Sequence, residues 1–266
     1  MFIKNTLICL TLVISLSASL SAEAGVSFTK LRIFVDNKTN KQDFVLLNRG
    51  DTSEDCQISL TDYDIAEDGS LITLKPKQLS ANSAQPYVRL SPKRVTIKPQ
   101  QSQKLKIIAR GYRKAQSNEL HSYLSIACKA SESISPKLKS AENSKYQTPT
   151  MRATFISQIP IIIRKEQVPV TIDFSDILFA TEGENTLLNF TLLKQGERST
   201  YGKLKLLDES GNQVAIKSGV SAYIQAKAIK HTLQFKNSNS TKFTLLYEEN
   251  PDFGGTETKS IEITKP

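Results

Sequence analysis

Few side chains in this 266-residue sequence have the types and spacing of a catalytic or metal site. His121 and His231 are the only histidines, and neither has a Cys or His neighbour at metal-ligand spacing. Residues 219–223 begin like the turn that presents a nucleophilic serine, but the final glycine is missing. We therefore expect no enzyme, no metal and no cofactor. A pair of catalytic carboxylates would leave no local pattern and stays open as an alternative.

The first 24 residues have the composition of a secretory leader. Lys4 supplies a positive start, residues 7–20 are largely apolar, and residues 22–24 (Ala-Glu-Ala) form a small-x-small cleavage sequence. The apolar run is shorter than the roughly 20 residues that span a bilayer, and serine interrupts it. We expect export to an oxidising compartment, a mature chain that begins near Gly25, and no membrane insertion.

The chain has a formal net charge of +9, which removal of the leader leaves unchanged because Lys4 and Glu23 cancel. Its Lys and Arg residues are spread along the sequence and are not interleaved with aromatic residues. This pattern predicts a basic surface with a preference for acidic partners, and no nucleic-acid binding.

Loss of the leader removes Cys9 and leaves Cys56 and Cys128. Both lie at the ends of predicted strands, and an oxidising compartment favours a disulfide between them. Two buried thiols are the alternative.

Short β-prone runs recur about every ten residues and are separated by turns, which is typical of antiparallel sandwiches. A Ser- and Lys-rich stretch at 129–148 predicts a long loop, and 165–169 predicts a linker, after which the strand pattern restarts at residue 186. No apolar stripe of helical period is present. The sequence predicts an all-β chain with two tandem immunoglobulin-like β-sandwich domains, at 25–164 and 165–266.

Six stretches are similar, in order and spacing, to one known family. They are Asn48-Arg49-Gly50-Asp51-Thr52, Glu67-Asp68-Gly69, Val88 to Ile97 followed by Pro99 and Gln103, Glu119 to Leu124, Ile159 to Arg164, and Gln195 to Gly202. The family is that of the periplasmic chaperones of the chaperone–usher pathway, and the stretches resemble its divergent, archaic branch. The resemblance covers nearly the whole chain after the leader. It implies a periplasmic protein that binds pilus or fimbrial subunits and hands them to an outer-membrane usher.

The resemblance also implies a role for the unusually long run from Met151 to Arg164. It would be an edge strand lent to a subunit that lacks its last strand, with backbone pairing and alternate apolar side chains filling the subunit's groove. The odd-numbered face is the more continuous apolar set, and its subunit-binding residues would be Met151, Ala153, Phe155, Ser157 and Ile159. For Ile159, Ile161 and Ile163, packing in the protein's own core is the preferred interpretation.

Well-known family members hold the subunit's terminal carboxylate with an Arg on the first strand and a Lys on the donor strand. Arg32 matches the first position, but Pro160 stands at the second and cannot serve. Arg89 and Arg164 are candidate substitutes because a guanidinium binds a carboxylate with two parallel hydrogen bonds. For both substitutes, an ordinary surface arginine is the alternative.

Two other classes of function remain open on the sequence alone. A secreted structural or adhesive β-sandwich protein would carry an N-terminal extension of alternating apolar residues, and residues 25–30 are short for one. A secreted carbohydrate-active enzyme or lectin would display exposed aromatic residues, and Trp is absent from the chain.

Overall fold

The computed structural model describes residues 25–131 and 153–266, and most of their regular structure is β-strand. The first part contains two 3-10 helices, Gln85–Tyr87 and Tyr112–Lys114. Its strands are β1 (Val26–Phe28), β2 (Ile33–Val35), β3 (Lys41–Asn48), β4 (Glu54–Thr61), β5 (Tyr63–Ile65), β6 (Leu71–Thr73), β7 (Val88–Ser91), β8 (Arg94–Ile97), β9 (Ser102–Ala109), β10 (Glu119–Ala130) and β11 (Phe155–Arg164).

These strands form a first sandwich of two facing sheets. One sheet has the order β1-β3-β9-β7 and the other the order β2-β11-β10-β4-β8, while β5 and β6 pair as a separate hairpin. Side chains alternate across each strand, so apolar residues two positions apart in β3, β9 and β10 are buried between the sheets. The core includes Phe44, Leu46, Leu105, Ile107, Leu124, Ile126 and Ile161.

The remaining strands form a second sandwich with a core of its own. They are β12 (Val170–Glu182), β13 (Asn185–Gly196), β14 (Thr200–Asp208), β15 (Gln213–Ala222), β16 (Ala228–Lys236), β17 (Lys242–Glu249) and β18 (Thr258–Thr264), with a 3-10 helix at Pro251–Phe253. The sheets have the orders β12-β13-β16 and β15-β14-β17-β18. The prediction of an all-β chain with two tandem sandwiches is confirmed.

Strand β12 is absent from the strands that the sequence predicted. Its first half buries Val170, Ile172 and Phe174 with a period of two. Asp176 then has a positive φ of 53°, and the pairing with β13 shifts register between Ser175 and Leu178. This β-bulge breaks the alternation, and a broken period hides a strand from pattern analysis.

The β5–β6 hairpin reaches across to the second sandwich. The backbone N–H groups of Lys227 and Ala228 donate to the carbonyl of Glu67, at 2.8 and 3.1 Å, and the Lys227 ammonium pairs with the Glu67 carboxylate. Gly69 completes the turn with a φ of +84°, and a Cβ there would lie 3.2 Å from Ile229 Cδ1. Both its conformation and its close approach therefore favour glycine.

A disulfide joins Cys56 and Cys128, which lie directly opposite each other on the paired strands β4 and β10. The structure thus contains the bridge that the sequence predicted. It closes a loop between cysteines 72 residues apart, and such a crosslink stabilises the fold by limiting the unfolded chain.

Replacing Cys56 and Cys128 together by serine should lower the free energy of unfolding by about 4 kcal/mol, the chain-entropy value for a loop of this length. Urea denaturation followed by circular dichroism measures the change. Dithiothreitol should destabilise the parent protein and leave the double variant unaffected. Equal urea midpoints for parent and variant would contradict a stabilising bridge.

Candidate functional site

Strand β11 has two differently occupied edges. On one edge it pairs with β10 along its whole length, from Phe155 to Arg164. On the other edge the parallel strand β2 pairs only with Ile161–Ile163. Within the described residues, the edge of 155–160 on this side is therefore free, and its backbone groups have no partner strand.

The core-facing side chains of β11 become more exposed from Ile161 towards the N-terminal end of the strand. Ile161 and Ile159 are 0% and 5% exposed and belong to the core. Ser157 is half-buried, Phe155 is 62% exposed, and Ala153 is exposed. Because alternate residues share a face, Phe155 and Ala153 continue the core-facing stripe beyond the core that it serves.

Not every residue predicted to bind a subunit belongs to this exposed surface. Met151 lies outside the described residues. Ile159 is used by the core of its own sandwich, so it is not available to a partner. On the opposite, even-numbered face Ile156 is 61% exposed, so this face also presents an apolar side chain.

Arg32 lies where the free edge begins. It immediately precedes Ile33, which pairs with Ile161 of β11, so extending this parallel register by one residue puts Arg32 opposite Pro160. The side chain is 3% exposed, and Nη2 donates to Ser221 Oγ of the second sandwich at 2.6 Å. No carboxylate of the described residues lies within 4.0 Å of it, and Nε has no hydrogen-bond partner.

Aromatic rings from both sandwiches surround Arg32. The guanidinium carbon lies 4.2 Å from the ring centre of Tyr201 and 5.6 Å from that of Tyr223. His121 stacks on Tyr223 at 4.5 Å and meets Tyr123 edge to face at 4.7 Å. Cation–π contacts stabilise a buried guanidinium without neutralising it, so the cleft between the sandwiches keeps a positive charge.

Burial lowers the pKa of His121 to about 3, and the nearby charge of Arg32 acts in the same direction. Burial likewise raises the pKa of Tyr123 above its usual range. His121 is therefore neutral at any ordinary pH, and its packing position explains it without a catalytic role.

Arg164, a candidate carboxylate anchor, is paired with groups of its own protein through every guanidinium nitrogen. Nε pairs with Glu119 Oε2 at 2.7 Å, Nη2 donates to the carbonyl of Ser199 at 2.9 Å, and Nη1 donates to the carbonyl of Gly254 at 3.1 Å and to Gln167 Oε1 at 3.2 Å. Glu119 also accepts from the N–H of Ser199 at 2.9 Å. This cluster ties the end of β11 to the second sandwich and leaves no guanidinium nitrogen free.

Arg89, the other candidate substitute, lies in a different sheet from Arg32 and β11. It is on β7, the last strand of the four-stranded sheet, whereas β11 and Arg32 belong to the other sheet. Its exposed side chain donates through Nη1 to the carbonyls of Pro86 and Val88, both at 3.2 Å. Of the three arginine candidates, Arg32 alone lies in the cleft with its charge unpaired by the described residues.

The described residues contain neither a metal-binding cluster nor a membrane-spanning helix. In the described ranges, no group of three or more His, Cys, Asp or Glu side chains could hold a metal ion. Residues 219–223 lie in β15 and the loop after it, and the Ser221 hydroxyl accepts from Arg32. No helix among residues 25–131 and 153–266 is long and apolar enough to cross a membrane.

No protein-family model matches the chain, and no curated protein sequence matches it. Its fold is similar to solved structures of pilus chaperones.

Three solved structures show the extent of the similarity. The CupB2 chaperone of Pseudomonas aeruginosa is 11% identical, with a TM-score of 0.45, over 90% of this chain and 100% of that chain. A complex of the SafB chaperone with SafA pilin from Salmonella enterica is 13% identical, with a TM-score of 0.45, over 91% of this chain and 96% of that chain. The complex of the archaic CsuC chaperone with the CsuE tip subunit of Acinetobacter baumannii is 14% identical, with a TM-score of 0.43, over 91% of this chain and 100% of that chain. At these identities the function of this chain is inferred from its own residues.

The sequence predicted roles for Arg32 and Phe155 but did not predict the side chains that lie around Arg32. Tyr201 and Tyr223 come from the second sandwich and are far from Arg32 in sequence, so no local pattern joins them. The buried pair of Arg198 with Glu249, at 2.7 and 2.8 Å, was missed for the same reason.

The depressed pKa of His121 makes stability depend on pH. The unfolded chain binds a proton at its ordinary pKa of 6.5, whereas the folded protein resists protonation down to about 3. Stability contributed by the neutral imidazole is therefore present above 6.5 and is lost as pH falls, by about 2 kcal/mol between pH 7 and pH 5. His231, whose pKa burial lowers to about 4, adds to the same loss.

Urea unfolding at pH 7 and pH 5 measures this loss. In a His121→Phe variant the loss between the two pH values should shrink by about 2 kcal/mol. A His231→Phe variant is the matched comparison and should remove the part of the stability loss between pH 7 and pH 5 that His231 causes. An unchanged pH dependence in the His121 variant would show that the imidazole titrates normally in the folded protein.

Proposed function

We propose that the protein is a periplasmic chaperone that binds pilus or fimbrial subunits by lending them strand β11, and that hands them to an outer-membrane usher. The observation that supports this most directly is the free edge of residues 155–160, with Phe155 exposed beside it. In this proposal residues 1–24 are the leader, 25–164 form the strand-donating domain and 165–266 the second domain.

The free edge matches the chemical need of an incomplete β-sandwich. A subunit without its last strand exposes an apolar groove and unpaired edge amides, which invite aggregation. A strand laid along 155–160 gains backbone hydrogen bonds worth about 1 kcal/mol each. Burying Phe155 adds roughly 1.5–3 kcal/mol, so apolar contact contributes much of the affinity. Met151 and Ala153 extend the same face in this proposal.

Arg32 supplies the second part of the proposed site. A buried cation without a carboxylate partner is costly, and an arriving carboxylate offsets that cost by pairing with it. The terminal carboxylate of a subunit strand that runs along the free edge would arrive beside Pro160, next to Arg32. Since Arg32 is 3% exposed, the Tyr201 or Tyr223 ring must move aside to admit the carboxylate.

Phe155→Asp should abolish the soluble complex formed on co-expression with candidate pilus or fimbrial subunits, because the charge cannot enter an apolar groove. The measurement is the yield of complex after affinity capture and gel filtration. Leu178→Asp is the matched control, since Leu178 is 63% exposed on the second sandwich. Leu178→Asp should leave the yield unchanged. A normal yield with Phe155→Asp would remove Phe155 from the binding surface.

Arg32 is tested through its ligand as well as by mutation. A synthetic peptide with the last residues of such a subunit should bind the parent protein at least about tenfold more tightly with a free carboxylate than with a terminal amide, given 1.5–3 kcal/mol for a charged hydrogen bond. Arg32→Ala should bind both peptides equally weakly. Calorimetry measures the affinities, and thermal unfolding checks that the variant is folded. Equal binding of the two peptides to the parent protein would exclude a carboxylate anchor.

A further inference from the structure

The first sandwich has another free strand edge, on the side of the five-stranded sheet away from β11. β8 pairs with β4 only from Glu54 to Gln57, and in the described residues no strand continues along Ile58–Thr61 on that side. The N–H of Ile58 donates to the carbonyl of Lys93 across this edge at 2.8 Å. Since backbone groups of alternate residues point the same way, the N–H and C=O of Leu60 point outward from the same edge.

A groove follows this edge. One part, of about 490 Å³, lies between β4 and β7, and an adjoining part, of about 530 Å³, continues towards the segment after β6. The two parts share Leu60 and Gln85. Leu60 and Leu90, which are both half-buried, give the groove an apolar floor.

The walls of this groove are strongly basic. Five cationic side chains line it, and none of them forms an ion pair within the described residues: Lys75, Lys77, Arg89, Lys93 and Arg94. The carboxylate among the described lining residues, Asp62, is 5% exposed and faces its own protein. It accepts from the Ser80 N–H at 3.1 Å and from the Ser122 hydroxyl at 2.5 Å. The groove therefore has five cationic side chains against one buried carboxylate, and it presents net positive charge.

We propose that this basic groove binds an extended acidic peptide segment of a partner protein, which adds a strand beside Leu60. Charge complementarity selects the acidic segment, the free edge pairs with its backbone, and the apolar floor takes its alternate side chains. A nucleic acid or an anionic lipid surface would use the cations but neither the backbone edge nor the floor. The site is separate from β11 and does not depend on the function proposed for that strand.

A fluorescent peptide of alternating Asp and Val tests the proposal by anisotropy, with the full-length protein after export. Binding should weaken about tenfold or more in the double variant Lys93→Glu/Arg94→Glu, because two attractive contacts become repulsive. The control Lys217→Glu/Lys236→Glu has the same change in net charge on exposed residues of the second sandwich, and should stay within about twofold of the parent. Equal weakening in both double variants would overturn the proposal, because it would show that net charge alone attracts the peptide.

Strand addition is tested separately from charge. The same peptide with alternate backbone nitrogens methylated keeps its carboxylates but loses hydrogen-bond donors, so it should bind at least about tenfold more weakly. Hydrogen exchange of the Leu60 amide should slow when the unmethylated peptide is bound. Equal affinity of the methylated peptide, an unchanged exchange rate at Leu60, or equally tight binding of a single-stranded oligonucleotide or of anionic vesicles would overturn the proposal.

Discussion

An unpaired strand edge is a liability that proteins normally cover, and the first sandwich leaves six residues of β11 uncovered in its described part. The unpaired part of the edge ends where β2 begins to pair with β11, at Ile161. Pro160 lies at that boundary and has no N–H to donate, so pairing along the free edge has a defined end. The same short stretch thus offers a partner strand a place to pair while giving little length for self-association.

The two arginines of the interdomain cleft show how the surroundings decide what a side chain does. Arg164 and Arg32 are similarly buried, at 4% and 3% exposed. Arg164 is neutralised by Glu119 and holds backbone carbonyls of the second sandwich, so its role is structural. Arg32 lies among tyrosines with no carboxylate in the described residues, so its charge remains available to a ligand. Sequence alone does not separate the two, because Glu119 precedes Arg164 by 45 residues and Tyr201 follows Arg32 at a still longer range.

Much of the fold was predictable because strand alternation is a local property. The two sandwiches follow from alternation within short windows, and the disulfide partners are the two cysteines left after the leader. The role of the N-terminal part of β11 was implied by the family resemblance and stays a prediction. Strand β12 was missed because the bulge at Asp176 shifts its period, and the sheet that holds Arg89 was not predictable because sheet membership depends on pairing over long range. The tyrosines around Arg32 belong to the same class of information: they come together only when both sandwiches are folded.

The contact between the β5–β6 hairpin and Lys227 has a mechanical consequence. Together with the Arg164 cluster and the bond from Arg32 to Ser221, it gives three separate points of attachment between the sandwiches. Because the three attachment points lie on different strands, they resist both bending and twisting of one sandwich against the other. The angle between the two sandwiches is therefore restricted. The width of the cleft at Arg32 is therefore set partly by the contact between the tip of the β5–β6 hairpin and Lys227, which is separate from the proposed subunit-binding edge.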